Sequence, residues 1–273
     1  MIDCPACHQT NPLGATFCIY CGDVLPDSTP DSAPASADGT VPGVPMSGAL
    51  HPNLTPGSAS LTTGHIVDGK YSIDSILGEG GMGVVYLATD IHTNVPVVVK
   101  AIRSEYAHRE EFRNRILAEG RALARIDHQN VVRLNAVVVE PDGLFLVMQY
   151  IDGESLDKTI SRYVAQQTPM PVPLVLKIFH QVLDGVGAAH AEGVIHRDLK
   201  PANILIRRRD AVAKVTDFGI AKAEEDIQAG RGQTKGIIGS LLYMAPEQIK
   251  GLRDLDNRVD IYGLGILLYE MLV

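Results

Sequence analysis

The 273-residue chain has no run of 18 or more apolar residues, so its sequence shows no membrane-spanning helix. It has no surplus of positive charge: 24 Lys and Arg stand against 32 Asp and Glu, a formal net charge of -8. That balance gives no support to a polyanion-binding protein reliant on bulk positive charge, and no nucleic-acid partner is expected. The first residues, Met1-Ile2-Asp3-Cys4-Pro5, have neither the basic start nor the apolar stretch of a secretory signal. The chain is therefore expected to begin in the cytosol, where thiols stay reduced. Residues 1–64 lack Lys and Arg altogether, and cysteine is absent after Cys21. No internal repeat is present. What is there is near the globular average, with 45% hydrophobic and 21% charged residues, which argues against a disordered chain or a coiled coil. At roughly 150 residues per domain, the length predicts one to two domains.

Composition divides the chain into three regions. Residues 1–25 hold all four cysteines. Residues 26–64 are dominated by Pro, Gly, Ser, Thr and Ala, and predict a disordered, fairly extended linker that cannot bury enough apolar surface to order itself. From residue 65 onward, strand-like and then helix-like patterns predict a globular domain.

The cysteines are spaced Cys4-x2-Cys7-x10-Cys18-x2-Cys21. Two C-x-x-C knuckles can close a tetrahedral thiolate site around Zn²⁺. Pro5 and Gly22 suit the tight turns that such knuckles need. A segment this short has almost no core, so a metal would supply most of its folding energy. The alternatives are two disulfides or four unlinked thiols; the reducing compartment and the doubled spacing favour zinc. His8 is expected to be an exposed turn residue, because four thiolates already complete a site. The segment resembles the small zinc ribbons at the termini of many bacterial proteins. That resemblance implies a structural or docking role toward a partner.

Residues 77–87 contain Gly78-x-Gly80-Gly81-x-Gly83, followed by Val84-Val85-Tyr86-Leu87. A dinucleotide fold needs a helix directly after such a loop; a β-branched run predicts a strand instead. Strand, glycine loop and strand make a hairpin that can lie over phosphates, because glycine lets backbone N–H groups approach closely. The plainer alternative is an ordinary glycine-rich hairpin. Next, Val97-Val98-Val99-Lys100 predicts a strand ending in a cation. Phe112, Ile116, Leu123 and Ile126 then form one apolar helical stripe. Glu119 falls on that stripe. An inward carboxylate is costly without a cation, and Lys100 is the candidate partner; the alternative is a stripe-edge Glu reaching solvent. Gly120, inside this helix, is expected to cost ~1 kcal/mol against Ala.

An amphipathic segment around Val175 to His190 precedes His196-Arg197-Asp198-Leu199-Lys200-Pro201-Ala202-Asn203, and Asp217-Phe218-Gly219 and Ala245-Pro246-Glu247 follow. Each string is unremarkable alone; their order, together with the glycine loop and Lys100, is not accidental. The sequence from about residue 65 to 273 resembles the protein kinase family, specifically the eukaryotic-like Ser/Thr kinases of bacteria. The resemblance implies an α+β, bilobal fold: an antiparallel β small lobe over about 65–148 and a helical large lobe over about 152–273.

The resemblance also assigns roles. It implies ATP with Mg²⁺ (or Mn²⁺) as cofactors. Lys100 would contact the α/β-phosphates and pair with Glu119. Asp198 would accept or orient the substrate hydroxyl proton, and Lys200 would neutralise the γ-phosphate. Asn203 and Asp217 would hold Mg²⁺. Leu77, Val85, Val98 and Leu205 would sandwich the adenine beneath the glycine loop of Gly78, Gly80, Gly81 and Gly83. Met148 would sit at the back of that pocket, with Gln149 and Ile151 as its hinge. Asp-Leu-Lys-Pro-x-Asn implies protein substrates with Ser or Thr. Thr234 stands where related kinases autophosphorylate, and its phosphate would pair with Arg197; the alternative is a solvated loop residue. Ser240 replaces the usual Thr and keeps its hydroxyl. Arg207-Arg208-Arg209 is expected to be a solvated hairpin turn.

Tyr71 to Val273 is 203 residues, shorter than the roughly 250 of such a domain. The large lobe is therefore expected to be incomplete after a central helix around 260–270. That helix would be left as an aggregation or partner surface, with a membrane anchor beyond residue 273 left open. A second copy of the chain is a further candidate partner. The competing function is a non-catalytic, nucleotide-binding scaffold that presents the zinc ribbon.

Overall fold

A computed structural model of the chain describes residues 2–5, 8–11, 18, 25, 61–80, 83–141, 143–218, 241–252 and 254–273. Cys7, Cys21, Gly81, Thr234 and most of the expected linker lie outside the described residues.

In the N-terminal region, β1 (Ile2–Asp3) pairs antiparallel with β2 (Thr10–Asn11). Cys4 N–H donates to the Gln9 carbonyl at 3.0 Å, and His8 N–H to the Cys4 carbonyl at 2.8 Å. His8 is exposed at φ +57°, in the turn role expected of it. Cys4, Cys18 and Leu25 are buried together, with Ile2 packed against them.

The main sheet has six antiparallel strands: β3 (Ile66–Val67), β4 (Tyr71–Gly80), β5 (Gly83–Asp90), β6 (Val95–Ile102), β7 (Leu134–Glu140) and β8 (Gly143–Gln149). Their order is β3-β4-β5-β6-β8-β7. Period-2 alternation builds a core on each face. On β8, Phe145 and Val147 join Tyr86 and Val99 on one side, while Leu144 and Leu146 join the helical core on the other. This explains why β8 reads as an uninterrupted apolar run rather than an alternating one.

The short helix α1 (Ser104–Ala107) leads into α2 (Glu110–Leu123). The latter opens on Glu110 and Glu111, favourable at a positive helix N-terminus. It buries Phe112, Ile116, Gly120 and Leu123; Ile126 is also buried, but beyond the helix end. Gly120 sits there because a Cβ would lie 2.6 Å from Val137 Cγ2 on β7. Its propensity cost is the cost of close packing.

The second lobe is mainly helical. After β9 (Gly153–Ser155) come α3 (Leu156–Ala165) and α4 (Val172–Ala191). By length and composition α4 could cross a membrane, at mean hydropathy 1.3, but its Leu174, Val175, Ile178, Val182, Val186 and Ala189 face is packed in the protein core. β10 (Ile204–Arg207) pairs with β9 and with β11 (Ala213–Val215). At the β10–β11 turn Arg207 makes two bonds to Asp210, at 2.8 and 2.7 Å, while Arg208 and Arg209 are exposed, the solvated turn expected. Finally, α5 (Pro246–Ile249) precedes α6 (Arg258–Leu272). α6 buries Val259, Gly263, Leu264, Leu267 and Met271 under the segment around Leu199, and leaves Ile261, Tyr269 and Leu272 exposed.

Candidate active site

The glycine loop closes between β4 and β5, where Gly78 pairs with Val85 and Gly80 with Gly83. The glycines are not equivalent. A Cβ on Gly83 would lie 1.8 Å from the Ala101 carbonyl oxygen of β6, so only glycine fits there. A Cβ on Gly78 or Gly80 would meet nothing within 4 Å. Those two glycines keep their backbone bare toward open space, as a phosphate cradle requires.

β6 aligns the face of the sheet that bears the cation. Lys100 stands opposite Val85 and Leu146, and Val98 opposite Leu87 and Met148. Opposed residues point to the same side, so Val85, Val98, Lys100 and Met148 share one face. Leu77 is exposed, whereas Val85, Val98, Met148, Gln149 and Leu205 are half-buried and Ile151 is buried.

Lys100 is buried, and its Nζ lies 2.7 Å from Asp217 Oδ1. The ammonium beside Asp217 holds that carboxyl below the usual carboxylate range, so it is anionic at neutral pH. This corrects the expected partner of Lys100. In this structure the ammonium lies on Asp217. Glu119 instead lines a cavity of about 290 Å³ between α2 and the loop before Asp198, beside Leu123, Ile195, Arg197 and Phe218.

The segment from His196 to Asn203 is held from three sides. Asp260 of α6, 1% exposed, accepts the backbone N–H of His196 at 2.8 Å and of Arg197 at 2.7 Å. His190 Nε2 lies 2.7 Å from the same carboxylate. Gln248 Nε2 donates to the Arg197 carbonyl at 2.9 Å. The His196 ring is wholly buried, 4.7 Å from the Phe218 ring. Its Nε2 contacts the Thr216 carbonyl at 2.9 Å, and its Nδ1 accepts Asp198 N–H at 3.2 Å. These bonds fit a neutral imidazole with its proton on Nε2, and burial pushes its pKa down, in the same sense. Arg197 and Asp217 adopt left-handed backbone, at φ +64° and +57°. Such strain collects where side chains must be aimed.

Asp198 is the focus of this loop. Its Oδ2 accepts from Lys200 Nζ at 2.7 Å and from Asn203 Nδ2 at 3.1 Å, and Asn203 Nδ2 also meets the Asp198 carbonyl at 2.8 Å. Asn203 is tied in turn to the segment before Asp217, since Thr216 N–H donates to its carbonyl at 2.9 Å. Asp198, Lys200 and Asn203 thus form one bonded group, and Lys100 with Asp217 a second. Asn203 and Asp217 offer oxygen donors of the kind a hard divalent cation takes.

Asp260, His190 and Gln248 were not legible as site residues. The available signal was Asp260 itself, a carboxylate inside an otherwise apolar helix, which is costly unless bonded.

A phosphate cradle, a buried Lys–Asp pair and an Asp–Lys–Asn loop between two lobes define a phosphoryl-transfer class of site. Comparison with known proteins makes this specific. Residues 71–273 match the protein kinase domain, and the chain belongs to the protein kinase family. It is 36% identical over 212 residues to the serine/threonine-protein kinase PrkC of Bacillus subtilis, covering 78% of this chain and 32% of that protein. It is 38% identical over 209 residues to Pkn1 of Myxococcus xanthus, covering 75% and 29%. PknB of Mycolicibacterium smegmatis is 36% identical over 216 residues, covering 78% and 34%. The chain therefore spans about a third of the length of these relatives. Among solved structures, the Mycobacterium tuberculosis PknI kinase domain superposes with a TM-score of 0.63 at 27% identity, covering 78% of this chain and 77% of that one. The fold is that of a protein kinase.

Proposed function

We propose that this chain carries an ATP-dependent protein serine/threonine kinase activity that transfers the γ-phosphoryl group to Ser or Thr hydroxyls. The observation that carries the reading is the Asp198–Lys200–Asn203 group, standing in one chain with the buried Lys100–Asp217 pair. Asp198 would orient the attacking hydroxyl and take its proton. Lys200, 2.7 Å from Asp198, would neutralise charge on the transferred group. Lys100 would bind the α/β-phosphates. Asn203 and Asp217 would hold Mg²⁺, which would neutralise charge on the phosphate oxygens. Leu77, Val85, Val98, Met148 and Leu205 would enclose the adenine, and the backbone of Gln149 to Ile151 would fix its edge. No covalent nucleophile is needed, because this chemistry rests on positioning and charge neutralisation. Every group it requires is present, which favours a kinase over a non-catalytic scaffold.

The remaining assignments follow from that reading. Glu119 would pair with Lys100 in a form in which Asp217 is given over to Mg²⁺. Thr234 is the autophosphorylation site, and Arg197 its phosphate partner. The kinase portion works on the cytoplasmic side, where ATP is found. Residues 1–25 form a Cys4, Cys7, Cys18, Cys21 zinc module that docks a partner, joined by the linker 26–64 to the kinase domain of 65–273. The spacing supports this, as does the burial of Cys4 and Cys18 beside Leu25. Among the described residues no group of three or more metal-ligating side chains stands together, and two of the four cysteines lie outside them.

Labelled ATP tests the activity. Mg²⁺-dependent incorporation into the chain or a Ser/Thr-containing protein is expected, and Lys100→Met should lose it. Equal incorporation by both proteins contradicts the reading.

A further inference from the structure

The glycine hairpin is held differently on its two legs. The returning leg is fixed by backbone: Gly83 pairs with Ile102, so close to Ala101 that no side chain fits. The outgoing leg has weaker support. Its ladder to β5 is irregular twice, between Ile73 and Ser75 and between Ile76 and Gly78, and Gly78 and Gly80 stand in open space. Side chains of Thr63 and Thr89 bond the base of this leg at Asp74, and among the described residues its far end at Glu79 and Gly80 is met by one side chain from another element. Arg103, between β6 and α1, donates from Nη2 to the Gly80 carbonyl at 3.1 Å and lies 3.4 Å from Glu79 Oε1. Its Nε is buried without an acceptor among the described residues, so Nη2 makes the tie.

We propose that Arg103 is a positioning residue that latches the outgoing leg of the glycine loop to the segment leading into α2. The inference rests on the kinase reading, because the leg it holds is the one that would cover the triphosphate. A guanidinium suits this role, because the two N–H bonds of Nη2 lie in one fixed plane and can meet the carbonyl and the carboxylate together, where an ammonium turns freely on a flexible stem. Losing the latch should let the leg swing away, so nucleotide would leave faster while the Asp198 group stays intact. Arg103 is 31% exposed and Glu79 64% exposed, so the tie is modest and its loss should not unfold the lobe.

The test compares the 273-residue wild-type chain with its Arg103→Ala, Arg103→Lys and Glu79→Gln variants. Hydrogen exchange of the 76–86 peptide in nucleotide-free protein reads the latch directly. KM for Mg-ATP against kcat reads its consequence. Arg103→Ala should speed exchange in that peptide but not in β7 or β8, and should raise KM about fivefold, with kcat falling less than KM rises. Arg103→Lys should recover part of both effects. Glu79→Gln should change both less than Arg103→Ala, because the bond to the Gly80 carbonyl survives. Unchanged exchange and KM in Arg103→Ala overturns the proposal, and so does faster exchange spread over the whole sheet. A wild-type chain that binds no nucleotide contradicts the kinase reading instead, while exchange at 76–86 still decides whether the latch exists.

Discussion

Arg197 and Asp260 meet through the backbone of one and the side chain of the other. Arg197 N–H donates to Asp260 Oδ1 at 2.7 Å while Arg197 is held at φ +64°. A left-handed non-glycine residue costs of order 1–3 kcal/mol and persists only when its surroundings enforce it. The buried Asp260 carboxylate supplies that enforcement, and by also accepting His196 N–H it fixes the bend just before Asp198. Asp260 acts through the loop and does not itself touch the reacting groups. Asp260→Asn keeps the shape but turns one acceptor into a donor facing a backbone N–H. It should cost about 2–3 kcal/mol, seen as a melting point lower by roughly 5–10 °C. Phosphoryl transfer should fall at least tenfold with little change in KM for ATP. Thermal denaturation and initial rates check this; a variant with wild-type melting and rate would contradict it.

A pH dependence follows from His196. Its burial pushes the folded pKa below the ordinary value of 6.5. The unfolded chain therefore binds the proton more readily, and stability rises with pH until about 6.5, then levels off. Melting temperature should fall as pH drops from 6.5 toward 5. His196→Gln should start less stable and show a shallower slope over the same window. A slope as steep as wild type would assign the dependence to other groups.

The protein kinase domain could be read from the sequence because its chemistry lies on short segments whose spacing the backbone preserves. Lys100 lies on a β-branched strand, which runs two residues past the expected end to Ile102, and Asp198, Lys200 and Asn203 share one short segment, so neighbours in sequence are neighbours in space. Glu119 shows where such reading stops. Helical periodicity told which way Glu119 faces, but not that Asp217, 117 residues beyond Lys100 in the chain, would hold the ammonium. Asp260 was missed for a related reason: its partners are backbone N–H groups, which every residue has and no sequence pattern marks.

Two glycines of α4 separate propensity from packing. Gly187 is exposed and a Cβ there meets nothing within 4 Å, so Gly187→Ala should stabilise by about 0.5–1 kcal/mol. Gly185 is buried, and a Cβ would lie 2.5 Å from the Asn130 carbonyl oxygen. Gly185→Ala should destabilise despite the same gain in helix propensity, by about 1–3 kcal/mol, the usual cost of overpacking. Urea unfolding of the two variants checks the pair. Shifts of the same sign would show that the approach of α4 to Asn130 is not tight.

The metal content of the N-terminal region gives an independent check. Native mass spectrometry of the chain should show one zinc-sized increment that denaturation removes. Cys4→Ser should reduce it to a small fraction of molecules, with kinase activity retained. A mass lower by two or four hydrogens and no metal would indicate disulfides instead.

The central claim, that the Asp198 group performs phosphoryl transfer, is tested most directly by one comparison. Intact masses of wild type and Asp198→Asn are recorded before and after incubation with Mg-ATP. Asparagine keeps the size and the bond to Lys200 but cannot take a proton. The wild type should gain one or more phosphates and Asp198→Asn should gain none while still binding nucleotide. Equal gain in both proteins, or none in a folded, nucleotide-bound wild type, would contradict the account.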